Sequence, residues 1–427
     1  MSKQLRNVLI VGSGGREHAL AWKLSQSPLL EKYYVAPGNG GTEGHNVDIS
    51  PNDIQGLIKF AKEHSCLTIV GPEAPLARGI VDHFLFEGVP IFGPTREQAK
   101  LEWSKSYAKQ FMSANNIPTA EFRLFSDAEK AIDYAHNREG VVVVKADGLA
   151  AGKGVVVCSN VMEAERAVRS IMIEKVFGDA GSEVVIEERL EGREISLMAI
   201  SDGTTAIPFG TATDHKRALD GDKGPNTGGM GAYSPTLDFG DEAVENVMHR
   251  IVLPSIRKSG YRGFLYAGLM LTSEGPVVIE FNSRLGDPET QVILPRLDSD
   301  LFETLSNISN PDWHGLADMK LQWTDDWYCT VVMCSKGYPS KPKVGDEISG
   351  IQNAEKMDQS VIFHSGTIRS QGKLLTNGGR VLCVTAGGRT LGESSTRAYS
   401  TVEMISWQGE HHRHDIGCPQ IPKRGQA

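Results

Sequence analysis

The chain has 427 residues, 40% of them hydrophobic and 23% charged, with a formal net charge of −9. That length suggests about three domains of ordinary globular burial. The acidic balance excludes nucleic acid as a partner, because a phosphate backbone needs a basic footprint; small phosphorylated ligands stay open, since a local cluster of Lys, Arg and amide groups binds them on an acidic protein.

The first hundred residues alternate short apolar runs with helical patterns. Residues 7–11 read as a buried strand and 16–27 as a helix carrying Ala19, Leu20, Trp22 and Leu24. Residues 33–36, 67–70 and 90–92 read as further strands, with helices over 56–63 and 76–87 between them. This order predicts a parallel sheet covered by helices on both faces. A helix over 104–115 ends before Ile117-Pro118. β-like segments follow at 121–125, 141–145, 155–158, 183–187 and 194–200, with helices at 128–136 and 162–174. Two of those strands flank residues 146–154, which makes that loop a hairpin tip. A glycine-rich stretch at 221–231 precedes a helix near 241–259 and two apolar strands, 265–271 and 277–281. After an apolar-poor region at 306–326, short strands are expected at 361–368, 374–375 and 380–385, with Asn377-Gly378-Gly379 as a turn.

Six cysteines form no CxxC pair and have no histidines at zinc spacing, so they are read as buried thiols in a reducing compartment. The only apolar run at the N-terminus is Val8-Leu9-Ile10-Val11, unlike a signal peptide. No stretch is long and apolar enough to span a membrane. A soluble cytoplasmic protein without a membrane partner is the expectation.

Five segments carry chemistry. Gly12-Ser13-Gly14-Gly15-Arg16-Glu17 follows a strand and opens a helix, which offers amides to an anion. Glu17 occupies the third glycine place of the dinucleotide fingerprint, so a small phosphate ligand is favoured over NAD, with a tight structural turn as the competing account. Lys145-Ala146-Asp147-Gly148-Leu149-Ala150-Ala151-Gly152-Lys153-Gly154 fails as a Walker A loop, because its spacing is short and Gly154 replaces Ser or Thr. It remains a small-residue flap with lysines at both ends, suited to folding over a triphosphate. Residues 186–194 join two strands and carry Glu187, Glu188 and Glu194; taken alone they are a charged connection.

In the run Val278-Ile279-Glu280-Phe281-Asn282-Ser283-Arg284, Glu280 and Asn282 share one strand face while Ile279 and Phe281 point inward. A carboxylate and an amide oxygen so placed suit Mg²⁺ held jointly with phosphates. Asp214-His215-Lys216-Arg217, with the loop of Asn226, Thr227, Gly228 and Gly229, offers both charges to an amino-acid zwitterion, unless it is a mobile solvated run. There is no Gly-x-Ser-x-Gly elbow to support hydrolase chemistry.

Together and in this order these segments, with Ala36-Pro37-Gly38-Asn39, Gly71-Pro72-Glu73-Ala74-Pro75-Leu76, residues 224–231, Gly286-Asp287-Pro288-Glu289 and Asn377-Gly378-Gly379-Arg380-Val381, resemble the ATP-grasp ligases, and among them the phosphoribosylamine–glycine ligases, from about Val8 to Gly417. The resemblance implies an α/β (α+β overall) ATP-grasp fold. It implies an N-terminal Rossmann-like domain over 1–102, an ATP-grasp domain over 103–325 with a mobile lid at about 122–192, and a small β-rich domain over 326–427. It also implies ATP and Mg²⁺ or Mn²⁺, glycine and 5-phosphoribosylamine as substrates, a glycyl-phosphate intermediate, and a monomer.

By position, the resemblance assigns Lys105, Lys145, Lys153, Glu187, Glu188, Leu190 and Glu194 to the nucleotide, and Glu280 and Asn282 to the metal. Lys153, Arg284 and Asp287 become catalytic. Asp214, Lys216, Asn226, Thr227, Gly228, Gly229, Arg284, Gly286 and Asp287 surround glycine, and Gly14, Gly15, Arg16, Pro72 and Glu73 take the phosphoribosylamine. Three departures stand out. Trp103 replaces a small residue and is expected to crowd the nucleotide entrance, and Leu285 replaces Phe. The run His411-His412-Arg413-His414-Asp415, followed by Cys418-Pro419, is read as a solvated tail. Rival readings are another ATP-grasp carboxylate–amine ligase, an NAD-binding oxidoreductase and a catalytically dead nucleotide-binding module.

Overall fold

The computed structural model describes residues 5–418 apart from 151, 152 and 311. The apolar run at the N-terminus forms the strand Asn7–Gly12, an inner member of a parallel sheet ordered Lys32–Pro37, Asn7–Gly12, Cys66–Val70, Ile91–Phe92. Val8 and Ile10 pack with Ala19 and Leu20 of the helix Gly15–Leu24, while Leu9 and Val11 pack with Leu57 and Ile58 of the helix Ile54–His64. This two-residue alternation buries both faces of the sheet, as parallel strands require. The single helix expected over 76–87 is two, Glu73–Ala77 and Ile80–Phe86, separated at Gly79, whose φ of +80° breaks the helical path.

Residues 122–188 form a small unit of their own. Its antiparallel sheet runs Phe122–Phe125, Val184–Glu188, Val142–Ala146, Val155–Val157. Helices Ala128–Asn137 and Val161–Val168 cover one face through Ile132, Ala135, Ala164 and Val168. Lys145 pairs with Val155, so residues 146–154 are a hairpin tip; Ala151 and Gly152 within it lie outside the described residues.

The largest element is an eight-stranded antiparallel sheet, ordered Gly275–Asn282, Arg262–Thr272, Arg193–Asp202, Ala206–Asp214, Gly231–Ser234, Trp327–Cys334, Arg380–Gly388, Ser360–His364. It crosses residue 326 without interruption, because Gly231–Ser234 pairs directly with Trp327–Cys334. One buried cluster joins Leu20 and Leu24, Phe264 and Ile293, and Phe363 and Cys383, so the first, middle and last segments share a core.

Several elements escape the sequence pattern. Ala206–Asp214 contains Pro208 and a register shift before Gly210, which disrupt the alternation that marks a strand. Leu391–Val402 is helical despite five Ser or Thr residues; the Thr390 hydroxyl caps Glu393 N–H, and Leu391, Ala398 and Val402 bury one face. Two expectations are corrected. Residues 411–415 are not a solvated tail: the Arg413 side chain is 1% exposed, pairs with Asp222 at 2.8 Å and Asp415 at 2.7 Å, and donates to the Arg217 carbonyl at 3.1 Å. Two carboxylates neutralise its buried charge, and His411 exchanges backbone bonds with Cys334. Five cysteines are buried free thiols, whereas Cys418 is exposed. Pro419 and the residues after it lie outside the described residues.

Candidate active site

The expected site residues meet where the small antiparallel unit and the first segment come against the outer strand of the large sheet, Gly275–Asn282. On one side the strand Val142–Ala146 presents Lys145, which is buried, stands 2.8 Å from Glu187 and donates to the Ile279 carbonyl at 3.1 Å. Glu187 also pairs with Lys109 at 2.9 Å. Its carboxylate therefore faces two lysines rather than open solvent, while Glu188 is exposed and Leu190 half-buried beside it. Lys105 opens the helix Lys105–Ala114, where Ser104 Oγ caps Tyr107 N–H at 3.2 Å. Burial draws its ammonium down, against Glu280. Its Nζ donates to the Gly148 carbonyl at 3.3 Å, and Lys153, at the far end of the flap, donates to the Pro339 carbonyl at 3.0 Å. The flap thus leans on the last segment.

Glu280 and Asn282 end the strand Gly275–Asn282 on one face, and Asn282 Nδ2 donates to Glu280 Oε1 at 3.4 Å. Burial alone would raise the Glu280 carboxyl, but Lys216, Lys145 and Lys105 outweigh it and bring it down to about 2. Lys216 lies 3.8 Å from Glu280 and is hydrogen-bonded to Glu194. Glu194 and Lys216, expected on different ligands, are therefore direct partners. Burial would lower the Lys216 ammonium, but Glu194 above all holds it well above the usual range. Asp214 is pushed the other way: burial, reinforced by Glu289, raises its carboxyl. Glu289 belongs to a buried polar group in which Ser196 Oγ lies 2.8 Å from Tyr266 Oη and 3.1 Å from Glu289 Oε1.

Arg284 reaches back from this strand to the first segment. It pairs with Glu102 at 2.9 Å, lies 3.7 Å from Glu73, and donates to Asn282 Oδ1 at 3.1 Å. Pro72 is the N-cap that places Glu73 there. Arg16 donates to Glu17 at 2.6 Å and to the Leu285 carbonyl at 3.0 Å. Glu17 also accepts from Gly14 N–H at 2.5 Å, so the residue at the third glycine place braces the loop internally. Gly15 begins the helix behind it. A Cβ at Gly14 would lie 3.3 Å from Asp287, which puts the first loop against the Gly286-Asp287 turn.

Arg380 comes from the last segment. It pairs with Asp287 at 3.0 Å and donates to the carbonyls of Asp287 at 2.7 Å and Gly228 at 2.6 Å. Gln291 adds a hydrogen bond to Asp287 at 2.7 Å. Burial would raise the Asp287 carboxyl, but Arg380 and then Arg16 hold it low. Thr227 donates to the Lys216 carbonyl at 2.9 Å and accepts from Gly229 N–H at 3.0 Å, which folds the loop over Lys216. Asn226 closes the small hairpin opposite Arg217. Gly229 has φ +108°, and a Cβ there would come within 2.4 Å of Pro288, so this approach needs glycine.

The sequence pattern missed Lys109, Glu102, Arg380's pairing and Glu289. Lys109 had a signal, being one helical turn beyond Lys105; the others find their partners through the fold. Trp103 does not crowd the site. Its Nε1 donates to the Arg96 carbonyl at 3.1 Å and its ring packs against the first segment's core, because an indole needs both a partner and an apolar bed. Among the described residues no group of three or more His, Cys, Asp or Glu could hold an ion alone, and no helix is long and apolar enough to cross a membrane.

Three family profiles match in succession: "Phosphoribosylglycinamide synthetase, N domain" over residues 6–102, its ATP-grasp (A) domain over 103–290, and its C domain over 328–419. The phosphoribosylamine–glycine ligase of Yersinia pestis is 48% identical, covering 98% of this chain and 99% of its own length. That of Vibrio vulnificus strain CMCP6 is 47% identical over 98% of this chain and 100% of its own. The crystal structure of phosphoribosylamine–glycine ligase from Thermotoga maritima superimposes with a TM-score of 0.81 at 33% identity, covering 96% of this chain and 99% of that one. The biotin carboxylase domain of Hydrogenobacter thermophilus 2-oxoglutarate carboxylase shares the fold, with a TM-score of 0.73 at 16% identity over 96% of this chain and 92% of its own.

Proposed function

The chain belongs to the phosphoribosylglycinamide synthetase family, and from that premise we infer that its site joins glycine to 5-phosphoribosylamine at the expense of ATP, a ligation of purine biosynthesis. The glycine carboxylate takes the γ-phosphoryl group of ATP, releasing ADP. The amine of phosphoribosylamine then displaces phosphate from glycyl phosphate to give glycinamide ribonucleotide.

One observation carries this reading: Lys105, Lys145 and Lys216 converge on Glu280, whose side chain is 31% exposed at the end of its strand. The central difficulty of the reaction is to bring an anionic carboxylate onto an anionic triphosphate, and fixed cations in a partly dry site relieve it. Glu280 stays ionised, and Asn282, once its amide turns its oxygen from Arg284 to the Glu280 side, would add a neutral oxygen, a donor pair whose chemistry fits Mg²⁺ or Mn²⁺ shared with phosphates. Such an ion, when bound, would neutralise phosphoryl charge.

In this reading Lys105, Lys145 and Lys153 hold the triphosphate, and residues 122–192 act as a lid that keeps water from the acyl phosphate. Glu188 and Leu190 border the nucleoside, with Glu187 acting through the lysines. Asp214, Lys216, Arg284 and Asp287 surround glycine, the cations towards its carboxylate and the carboxylates towards its ammonium, and the loops of Gly14, Gly15 and Arg16 and of Pro72 and Glu73 take the phosphoribosylamine. The protein works as a cytoplasmic monomer.

The test is phosphate release from ATP and Mg²⁺ with glycine, with and without freshly generated phosphoribosylamine. Release that requires both substrates supports the reading. Release with another amino acid and none with glycine would overturn it.

A further inference from the structure

Lys109 enters no step above, yet it is the most enclosed cation near the nucleotide lysines. It leaves the helix Lys105–Ala114 four residues after Lys105, on the same face. Its side chain is 3% exposed, and Nζ lies 2.9 Å from Glu187 Oε2 and 2.7 Å from Thr119 Oγ1. Thr119 donates to the Val278 carbonyl at 3.0 Å, and the next carbonyl, Ile279, accepts from Lys145 at 3.1 Å. Lys145 returns to the other oxygen of Glu187 at 2.8 Å. The contacts close a ring: body helix, lid strand, second lid strand, body strand, Thr119 and back to the helix.

Glu187 is shared by the two lysines, while Lys145 is answered by Glu280 as well, so Lys109 is the partner that holds Glu187 from the body side. Burial, with Lys145 adding to it, draws the Lys109 ammonium down to about 8 in spite of Glu187. The body strand of the ring continues directly into Glu280 and Asn282.

We propose that Lys109 is a positioning residue of the ligation, holding Glu187 from the body side so that Lys145 is aimed at the nucleotide phosphates and the lid sheet is fastened beside the metal-binding strand end. The proposal rests on the reading of Lys145 as a phosphate ligand. Lys109 itself touches no substrate; it acts through Glu187, whose remaining oxygen then sets where the Lys145 ammonium stands.

Steady-state phosphate release by the full chain tests it, with ATP and glycine varied separately. Lys109→Met raises the KM for ATP by about tenfold, the scale on which second-layer partners act, and leaves the KM for glycine within about twofold. In a Glu187→Gln background the same substitution adds little, because its route to Lys145 is already cut. Lys109→Gln, which keeps a hydrogen-bonding group for Thr119, gives the same asymmetry and carries the comparison if the Met variant does not fold. Equal changes in both KM values, or losses that multiply independently with Glu187→Gln, overturn the proposal. Lys145→Met separates the two claims. If it leaves the KM for ATP unchanged, the phosphate-ligand reading fails. If it raises that KM while the Lys109 variants do not, only the positioning role fails.

Discussion

Arg380→Met removes a guanidinium fastened to three oxygens, those of Gly228 at 2.6 Å, the Asp287 backbone at 2.7 Å and the Asp287 carboxylate at 3.0 Å. Methionine keeps much of the packing of the arginine stem, so the change is chiefly one of charge. Asp287, 11% exposed, then keeps the Gln291 amide as a close donor and the more distant charge of Arg16. Stranding one member of a buried pair costs roughly 3–5 kcal/mol. With an unfolding entropy of about 2.1 cal/mol/K for each of 427 residues, and one core running through all three segments, the melting temperature drops by roughly 3–6 °C. Adding Asp287→Asn removes the stranded charge and should recover most of that drop. Because Gly228 and Asp287 border the proposed glycine pocket, the KM for glycine should rise far more than that for ATP. Calorimetry and phosphate release measure both effects. A single variant that melts with the unmodified protein, or a double variant that melts lower than the single, refutes the stranded-charge reasoning. An equal rise in both KM values refutes the placement.

Glu280→Ala should lower turnover at least about 10²-fold, or about 2.7 kcal/mol of barrier, with the fold intact by circular dichroism; near-normal phosphate release would exclude it from the metal site. A pH effect follows from the joint between first and last segments, where His364 is 2% exposed and donates its backbone N–H to His18 Nδ1 at 2.8 Å. Burial, then His18, draws His364 down to about 3, and burial draws His18 down to about 4. The unfolded chain takes up these protons near pH 6.5 while the folded one refuses them. Stability is therefore whole above 6.5 and declines from there towards 4, by at most about 1.4 kcal/mol per pH unit for His364. Melting temperatures from pH 7.5 to 4.5 should show the slope, and His364→Asn should flatten it; parallel slopes would refute the assignment. Arg413→Met frees the glycine-rich hairpin from its carboxylate anchor at Asp222, so trypsin should cut after Lys223 several-fold faster than in the unmodified protein. An unchanged cleavage rate would show that the anchor holds nothing.

What the sequence made legible was whatever lies on one short segment. Val8 to Val11 announced a two-sided strand, and the clean alternation through Glu280 and Asn282 announced which face they share. Lys145 and Val155 on either side of a run of small residues announced the flap. The partners of those groups were illegible, because folding supplies them from far along the chain. Arg284 is met by Glu102 and Asp287 by Arg380, and neither pairing has a local spacing to betray it. Glu194 was assigned to the nucleotide by resemblance, and nothing in its local run announced that the strand Arg193–Asp202 sets it against Lys216. The tail was misread for the same reason: a charged run looks solvated until Asp222 arrives from a hairpin almost two hundred residues earlier. Local patterns that conflict with themselves also hid elements, as Pro208 did within Ala206–Asp214.

The sheet that runs unbroken from Gly275–Asn282 to Ser360–His364 sets a timetable for the chain as it is made. The outer edge of Gly231–Ser234 stays unpaired until Trp327–Cys334 has been synthesised. The helix Gly15–Leu24 keeps an open face until Phe363 and Cys383 arrive. At about 5–20 residues per second, the roughly 340 residues between that helix and Phe363 take on the order of 20–70 s to emerge. Throughout that interval the apolar helix face is available to the wrong neighbour, joined by an open strand edge from the synthesis of Gly231–Ser234 until that of Trp327–Cys334. A ribosome that stalled near residue 326 would therefore release most of the nucleotide-binding machinery in a sticky, unfinished form, and the last hundred residues complete the fold as well as the pocket.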